Sequence, residues 1–584
     1  MGQRIAIIGL ACEYPDASSP ARLWENVLAR RRAFRRLPDE RLNRADYYWP
    51  DPDASDRFYT DMAAVIEGYE FDRVAFTVGG STYRSADLTH WLALDVASRA
   101  LADAGFPGGA GLPTPTTGVI VGNTLTGEFS RANLMRLRWP YVRRTVAAAL
   151  RAEGFDDRRL EGFLAGLERQ YKAPFPEVGE DTLAGGLSNT IAGRIGNHFD
   201  LRGGAYTVDG ACSSSLLAVV TACTALADRE LDVAVVGGVD LSIDPFELVG
   251  FAKVGALTPG EMRVYDQRSS GFLPGEGAAM AVLVREEDAA SGGYAVIEGW
   301  GRSSDGRGGI TRPTVDGYRL AMRRAYARAG YGPDTVGFFE GHSTGTPIGD
   351  QVELEAISAE RDAADPQAPP APIGSIKALI GHTKAACGIA SLIKATLAVR
   401  DGIVPPTAGC EDPHDVLLRD RPALRVSDGE PWPSGGPRRA GVTSMGFGGI
   451  NTHVVIGQSR ESRTESHTDQ ARHLSLMSSA QDRELLLLDA DDPGELREEL
   501  LRLAASVSEL SFAELGDLAA VLHAGYRGRT LRAAVVAGRP VRAAEALRQA
   551  AGALAAGRES LFDPGAGVFL GRAGRHLPGG VGGR

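Results

Sequence analysis

The sequence has no run of about eighteen uninterrupted apolar residues, the length that a membrane-crossing helix requires. Its first residues, Met1-Gly2-Gln3-Arg4, lead directly into a β-branched stretch. Neither a membrane span nor a secretory leader is expected. Met1-Gly2 is not an acylation signal either, because position 6 is Ala rather than Ser or Thr. Cysteine is scarce: five, at positions 12, 212, 223, 387 and 410 of 584 residues, show neither metal-ligand spacing nor a disulfide rhythm. That argues against a metal site and fits a reducing cytoplasm. An excess of positive charge is also missing, since the net charge of −11 disfavours a nucleic-acid-binding surface. The local basic run Arg30–Arg32, with Arg35 and Arg36, reads as a solvated helix end rather than a docking patch.

A chain of this length exceeds one hydrophobic core, so at least two folding units are expected. Up to about Ile456, β-branched runs alternate with Ala/Leu/Arg helices and many glycines, the texture of a layered α/β protein. Residues 457–472 are polar and aperiodic and read as a connecting segment. A smaller unit over 473–570 follows, with strand Glu484 to Asp489, helices Pro493 to Val507 and Ser511 to Ala524, strand Leu531 to Ala537 and helix Arg539 to Ala556. It carries no cluster of residues suited to chemistry, which favours a spacer or docking role. Residues 571–584 are glycine-rich and read as a flexible tail.

The large unit shows an approximate internal duplication. Helix Leu92 to Ala104, strand Gly118 to Gly122, strand Tyr206 to Asp209 and a helix starting at Cys212 are matched in order by later segments. These are helix Tyr318 to Ala329, strand Val336 to Glu340, strand Ile373 to Lys377 and a helix starting near His382. Two α/β halves follow, about 1–285 and 286–456. Around Cys212 the string DGACSSSL turns from a strand through small residues into an apolar helix that reaches Ala227. A thiol at a helix start meets unpaired N–H groups and the positive helix end, both of which favour thiolate.

Three further constellations carry chemistry. His342 directly follows a strand in HSTGTPIGD, where Thr344, Thr346 and glycine would let a substrate carbonyl come close. Asp350 and Glu353 follow at a helical spacing, suited either to capping and solvation or to orienting cationic groups. Lys377 precedes His382 by five residues in KALIGH. Gly446-Phe447-Gly448, within GFGGINTH, is a glycine-rich turn before a strand. Such a turn can cradle phosphate, donate oxyanion N–H groups or simply reverse the chain.

Together these motifs, with GFLPGEGA at Gly271 to Ala278, resemble the β-ketoacyl synthases of the thiolase-like fold over about Ile5 to Ile456. The resemblance implies two duplicated α/β halves layered α-β-α-β-α. The following unit resembles the linker between ketosynthase and acyltransferase domains of modular-type polyketide synthases. The segment Gly122 to Tyr141 and the helix-rich stretch after it look most like the iterative enzymes that make enediyne precursors.

By this resemblance Cys212 is the nucleophile that accepts an acyl chain from the phosphopantetheine arm of an acyl carrier protein. His342 and His382 bind the malonyl thioester carbonyl and promote decarboxylation. Lys377 orients this pair, Glu353 pairs with Lys377, and Phe447 gates the cysteine and shares with it an oxyanion hole. The implied reaction is a decarboxylative Claisen condensation with no directly bound cofactor or metal. The implied partners are a carrier protein, an acyltransferase and other domains of the same megasynthase, and a second copy of the chain in a homodimer. Departures from the family pattern fall at Gly210, commonly Thr, at Ser343, commonly Gly, and at Leu379, commonly Asn, where a polar partner near the second histidine loop is lost. A thiolase would share the elbow, but HSTGT and KALIGH favour malonyl decarboxylation. A chain-length factor would lack the cysteine and a non-elongating relative often lacks the first histidine. A catalytically silent docking platform is disfavoured by the intact set Cys212, His342, Lys377 and His382.

Overall fold

The computed structural model describes residues 3–290, 293–307, 310–433, 435–459, 473, 476–477 and 483–573. Its chain divides into two compact units. One comprises Met1–Leu23 and Arg32–Gln470, the other Trp24–Arg31 and Ala471–Arg584.

The first unit is built on eleven strands: β1 (Ile5–Glu13), β2 (Thr117–Gly122), β3 (Ala205–Val208), β4 (Val233–Asp240), β5 (Gly277–Arg285), β6 (Ala295–Ser304), β7 (Phe338–Glu340), β8 (Ala371–Gly374), β9 (Leu424–Arg425), β10 (Arg439–Gly446) and β11 (Ile450–Gly457). They run in the order β9-β8-β7-β10-β11-β6-β1-β5-β4-β2-β3. The order contains its own symmetry. In the first half β2 is parallel to β3 and β4, whereas β4–β5 and β5–β1 are antiparallel. In the second half β7 is parallel to β8 and β10, whereas β10–β11 and β11–β6 are antiparallel. The halves join where β1 pairs with β6.

Helices complete the layers. On the outer side of the first half, α1 (Leu88–Asp103) lies against β1, β5 and β4, and α2 (Asn189–His198) against β2 and β3. On the outer side of the second half, α4 (Val315–Ala329) lies on β6 and β11, backed by α5 (Pro347–Ala364). Between the half-sheets are α3 (Ser214–Ala227) and α6 (Cys387–Asp401), which touch each other and strands of both halves. Their sequences explain the placement, for α3 is apolar and small-residue-rich on every side and α6 is buried along almost its whole length. This is the five-layered thiolase-like arrangement.

Several local expectations shift. The strand expected over Ile373 to Lys377 begins two residues earlier and ends three earlier, and Lys377 instead opens a short helix, Lys377–Ile380. The helix expected near His382 starts at Cys387 after a 3-10 turn, Lys384–Ala386. Arg32, Arg35 and Arg36 form no free basic patch. Arg32 meets Glu261, Arg35 meets Asp16 and Glu67 at 2.7 and 3.0 Å, and Arg36 meets Asp61 at 2.8 Å. Within the second unit, Arg31 lies 3.6 Å from Glu484. Helices Glu128–Leu137, Trp139–Ala152 and Asp157–Lys172 form the insert between β2 and α2. Among the described residues no helix is long and apolar enough to cross a membrane.

The second unit has strands β12 (Glu484–Ala490), β13 (Leu531–Ala537), β14 (Leu561–Asp563) and β15 (Val568–Arg572), in the order β12-β13-β15-β14. Helices α7 (Pro493–Ser506), α8 (Phe512–Gly525) and α9 (Pro540–Ala555) cover it. Leu486, Leu500, Leu515, Val535, Leu547 and Leu570 form its core. The β14–β15 hairpin was not expected, because three glycines at 565, 567 and 571 mask a short strand as loop. Strand β15 carries order through Gly571 to Arg572, so the tail does not begin at 571. Most of the polar connecting segment and residues 574–584 lie outside the described residues.

A buried ion pair ties the end of β7 to α6. Lys394 Nζ lies 2.6 Å from Glu340 Oε2 with both side chains inaccessible. Glu340 Oε1 also accepts from the Ile376 N–H at 2.6 Å. Removing one partner strands a buried charge, at about 3–5 kcal/mol. Lys394→Met is therefore expected to lower the urea midpoint sharply, and the double variant Lys394→Met/Glu340→Gln to recover most of the loss. Equal midpoints for the two variants would refute the ion-pair account.

Candidate active site

Cys212 stands in a 3-10 turn, Ala211–Ser213, between β3 and α3. The turn is strained, with Ala211 at φ +49°, where a residue with a Cβ pays about 1–2 kcal/mol. Surrounding bonds hold it there. The Ala211 N–H donates to Asp209 Oδ1 (2.8 Å), Ser214 Oγ donates to the Ala211 carbonyl (2.6 Å), and the Gly210 N–H donates to Ser214 Oγ (2.9 Å). The Cys212 carbonyl receives two further donors, Ser444 Oγ at 2.8 Å and Cys387 Sγ at 3.1 Å. Gly210, the departure before the Ala-Cys pair, packs close, and an added Cβ would lie 3.1 Å from Leu217.

The glycine turn between β10 and β11 comes against this elbow because Gly446 has no side chain. A Cβ there would collide with the Gly210 carbonyl oxygen. Phe447, the next residue, remains 41% exposed with its ring 6.4 Å from that of Phe251.

His342 follows β7 and is buried. Its Nδ1 accepts from the Met445 N–H at 3.1 Å. His382 is held across from Leu273, to whose carbonyl its N–H donates at 2.9 Å, and its Nδ1 accepts from the Lys384 N–H at 3.3 Å. The two rings are 5.9 Å apart and nearly perpendicular, and Phe272 packs edge-on to His382 at 4.8 Å. Burial first, and then the Lys377 cation, hold both imidazoles well below the ordinary histidine range. Both are therefore neutral, and with Nδ1 accepting in each, the proton of each sits on Nε2.

Cys212, His342, His382, Thr344, Thr346, Met445, Gly446 and Phe447 line one cavity of about 270 Å³. The Thr344 and Thr346 hydroxyls are 3.1 Å apart. Gly448, Lys377, Asp350 and Glu353 do not line it.

The hydrogen bonds of the two carboxylates go chiefly to the backbone. Both are buried, so neither is a surface cap, and Glu353 feels the Lys377 charge without a hydrogen bond to it. Glu353 accepts from the N–H groups of His342 (2.7 Å) and Ser343 (2.8 Å) and from the Tyr265 hydroxyl (2.7 Å). Asp350 accepts from the N–H groups of Tyr265 (2.8 Å) and Gly345 (3.2 Å), and burial pushes it up to about 7. Together they clamp the backbone of the first histidine loop. Glu353 is thus occupied and makes no hydrogen-bonded pair with Lys377, whose buried Nζ has no hydrogen-bond partner among the described residues. Lys377 acts on the histidines through its charge.

The departures at 343 and 379 are accommodated. Buried Ser343 has its carbonyl bonded by Ser375 Oγ at 3.0 Å, and Leu379 is buried with its carbonyl accepting from the Ala33 N–H at 2.8 Å.

The thiolate expected at this helix start is opposed by burial. Cys212 is 8% exposed, and burial, followed by neighbouring Cys387, pushes its thiol up against the opposing pull of Lys377 and Lys384. Desolvation disfavours the anion there.

Sequence reasoning missed Met445, Ser444, Tyr265, Cys387 and Lys384, which act through a backbone amide or from beneath the reacting groups. Phe272, which lies inside GFLPGEGA, was within reach of a motif search.

Known proteins are similar to this chain in sequence and fold. The family model "Beta-ketoacyl synthase, N-terminal domain" matches residues 2–289 and "Beta-ketoacyl synthase, C-terminal domain" matches residues 294–411. A polyunsaturated fatty acid synthase component of Thraustochytrium sp. is 35% identical over 500 residues, 82% of this chain and 17% of that protein. A phenolphthiocerol/phthiocerol polyketide synthase component of Mycobacterium tuberculosis is 34% identical over 475 residues, 79% of this chain and 23% of that protein. The chain thus spans about a fifth of the length of these relatives. Among solved structures, the ketosynthase from module 6 of the bacillaene synthase of Bacillus subtilis 168 aligns with a TM-score of 0.65 at 27% identity, covering 97% of this chain and 87% of that one. The oxazolomycin ketosynthase domain from Streptomyces albus JA3453 aligns with a TM-score of 0.67 at 26% identity, covering 98% and 90%. Because one family model carries the elbow of Cys212 and the other both histidines of the same cavity, this chain belongs to the β-ketoacyl synthase family of condensing enzymes, which form carbon–carbon bonds by acyl transfer.

Proposed function

We propose that this chain is the ketosynthase and adjoining linker of an iterative type I polyketide synthase. It would condense malonyl-carrier protein, with loss of carbon dioxide, onto an acyl chain held on Cys212. The observation that carries the reading is the cavity shared by Cys212 and two neutral imidazoles whose free positions are both Nε2–H.

In the first stage an acyl-pantetheine thioester meets Cys212. The sulfur attacks the carbonyl, the pantetheine sulfur departs, and the proton lost by Cys212 ends on it. The N–H groups of Cys212 and Phe447 would stabilise the tetrahedral oxyanion, and the start of α3 stabilises sulfur as it becomes anionic. The histidines are poor acceptors for that proton, because their unprotonated Nδ1 atoms are engaged.

In the second stage the malonyl thioester oxygen lies between the two Nε2–H donors. As the carboxylate leaves as carbon dioxide, its electron pair moves towards that oxygen, which the donors stabilise. The resulting carbanion attacks the acyl carbonyl on Cys212, the new carbon–carbon bond forms as the carbon–sulfur bond to Cys212 breaks, and the sulfur leaves as thiolate, which takes one proton from solvent before the next acyl transfer. Lys377 keeps both histidines neutral, and Glu353 and Asp350 hold the loop that carries His342. Thr344 and Thr346 offer hydroxyls along the channel for the pantetheine amides.

Several finer assignments extend this reading. The insert helices after Gly122 support an enediyne-type, polyene-building enzyme. The second unit fits a ketosynthase–acyltransferase linker. Strand β3 ends the sheet, and Tyr206 on it is 39% exposed, which suits pairing with a second copy. Five free thiols fit the cytoplasm.

Intact-mass measurement after mixing with acetyl- and malonyl-loaded carrier protein tests the function. The wild type should gain acyl mass on Cys212 and Cys212→Ala should gain none; labelling that persists in Cys212→Ala would remove the assignment. Cys212→Gln should still release carbon dioxide from malonyl-carrier protein without condensing it. In that background His342→Ala or His382→Ala should slow release about a hundredfold or more, the worth of one oxyanion donor.

The pH profile carries a sign. Both histidines are held well below the ordinary range, so their active, neutral form persists as pH falls. Carbon dioxide release by Cys212→Gln should stay level from about pH 8 to about pH 6, and a loss of rate centred near the ordinary imidazole value of about 6.5 would show a solvent-titrated histidine.

A further inference from the structure

The Lys384 ammonium enters no step proposed above, yet the residue's backbone has a φ of +48°, a left-handed conformation uncommon for a residue with a long side chain. In that conformation its N–H meets His382 Nδ1 at 3.3 Å. Something must hold the turn, and the other end of the same residue supplies it. The Lys384 side chain is 3% exposed and runs into the interior. Its Nζ lies 3.1 Å from Asp240 Oδ1 and 3.5 Å from Glu247 Oε2, and it donates to the Ser242 carbonyl at 2.8 Å and the Gly275 carbonyl at 3.4 Å. Asp240, at the end of β4, also accepts from the Ala385 N–H at 3.3 Å, gripping the turn on its next residue. Glu247 in turn faces Arg131 of the insert helix at 3.8 Å.

A lysine needed only to neutralise two buried carboxylates would not require a left-handed backbone two residues from a site histidine. A residue needed only for its amide would not require a buried ammonium. We propose that Lys384 is a positioning residue: its ammonium, held by Asp240 and Glu247, maintains the left-handed turn whose amide keeps His382 in its Nε2–H form. The effect on rate rests on the decarboxylation role proposed for His382, whereas the tautomer does not.

The test uses the full chain labelled with 15N-histidine, with long-range 1H–15N correlations reporting each ring and His382→Gln identifying the signals of His382. The wild type should show the Nε2–H tautomer. Lys384→Ala should give a mixture of tautomers and, in the Cys212→Gln background, slow carbon dioxide release on the order of tenfold, the scale of a small misplacement of a reacting group. Lys384→Arg, which keeps the cation, should restore both. A wild-type His382 protonated on Nδ1, or a folded Lys384→Ala with the wild-type tautomer, would overturn the proposal. Should Lys384→Ala not fold, Glu247→Gln removes one of the two carboxylates that hold the ammonium. A mixed tautomer in that variant supports the proposal and an unchanged one overturns it. If the tautomers respond as expected while no variant, including Cys212→Gln alone, releases carbon dioxide, the proposed reaction fails and the positioning role stands.

Discussion

The starts of α3 and α6 touch between the two half-sheets, and the distances in the cavity depend on how closely they do so. Gly388 has no side chain at the crossing, where an added Cβ would stand 2.8 Å from the Leu216 Cβ. That closeness lets Ser215 Oγ accept the Ile389 N–H at 3.1 Å and brings Cys387 Sγ onto the Cys212 carbonyl. Gly122 of β2 makes the same allowance on the other side of α3, since a Cβ there would overlap the Ser214–Ser215 backbone. Small residues at these places convert a duplicated fold into one site. One half delivers a thiol, the other two imidazoles, and neither half could form the cavity alone.

Burial then sets the electrostatics of everything that close packing encloses. A solvent-poor interior disfavours each charged form unless a partner is fixed in place. The histidines, with no carboxylate hydrogen-bonded to either ring among the described residues, become neutral donors. The carboxylates of Glu340 and Asp240 are met by Lys394 and Lys384, while those of Glu353 and Asp350 are met by backbone N–H groups and the Tyr265 hydroxyl. Lys377 differs from all of these, being buried without a hydrogen-bond partner among the described residues. Its charge is felt by Glu353 and by both imidazoles, which suits a residue whose work is to keep the imidazoles unprotonated.

The parts of this architecture that could be read from sequence are those written in short contiguous strings. Cys212, His342, His382 and Phe447 each lie at a strand or helix end inside a motif of small residues, and local chain direction suffices to bring each to one cavity edge. The duplicated order of helices and strands was legible for the same reason, although β8 and the start of α6 were displaced because KALIGH breaks into a turn and a short helix. Contacts between distant segments were not legible. Nothing about Met445 or Ser444 in the sequence states that an amide of β10 will meet His342, or that a hydroxyl will meet the carbonyl of Cys212. Spacing placed Asp350 and Glu353 on one helix but could not tell a surface cap from a buried clamp, because that distinction depends on Tyr265, more than eighty positions away. The burial that opposes a thiolate at Cys212 was not legible on similar grounds, for a helix start is a local feature and desolvation is a property of the whole surrounding cavity.

Burial of the cysteine gives the proposed reaction an order. It pushes the Cys212 thiol up against the opposing pull of Lys377 and Lys384, which disfavours the thiolate ahead of the acyl transfer. An arriving acyl-pantetheine changes that balance, because its carbonyl oxygen engages the backbone donors and its departing sulfur takes the proton that the histidines are poorly placed to accept. The same burial that silences the thiol keeps the imidazoles neutral for the malonyl stage. One physical constraint, burial at the junction of two helix starts, therefore bears on both halves of the proposed reaction with opposite consequences. It disfavours the thiolate at Cys212, and it favours neutral, donating histidines.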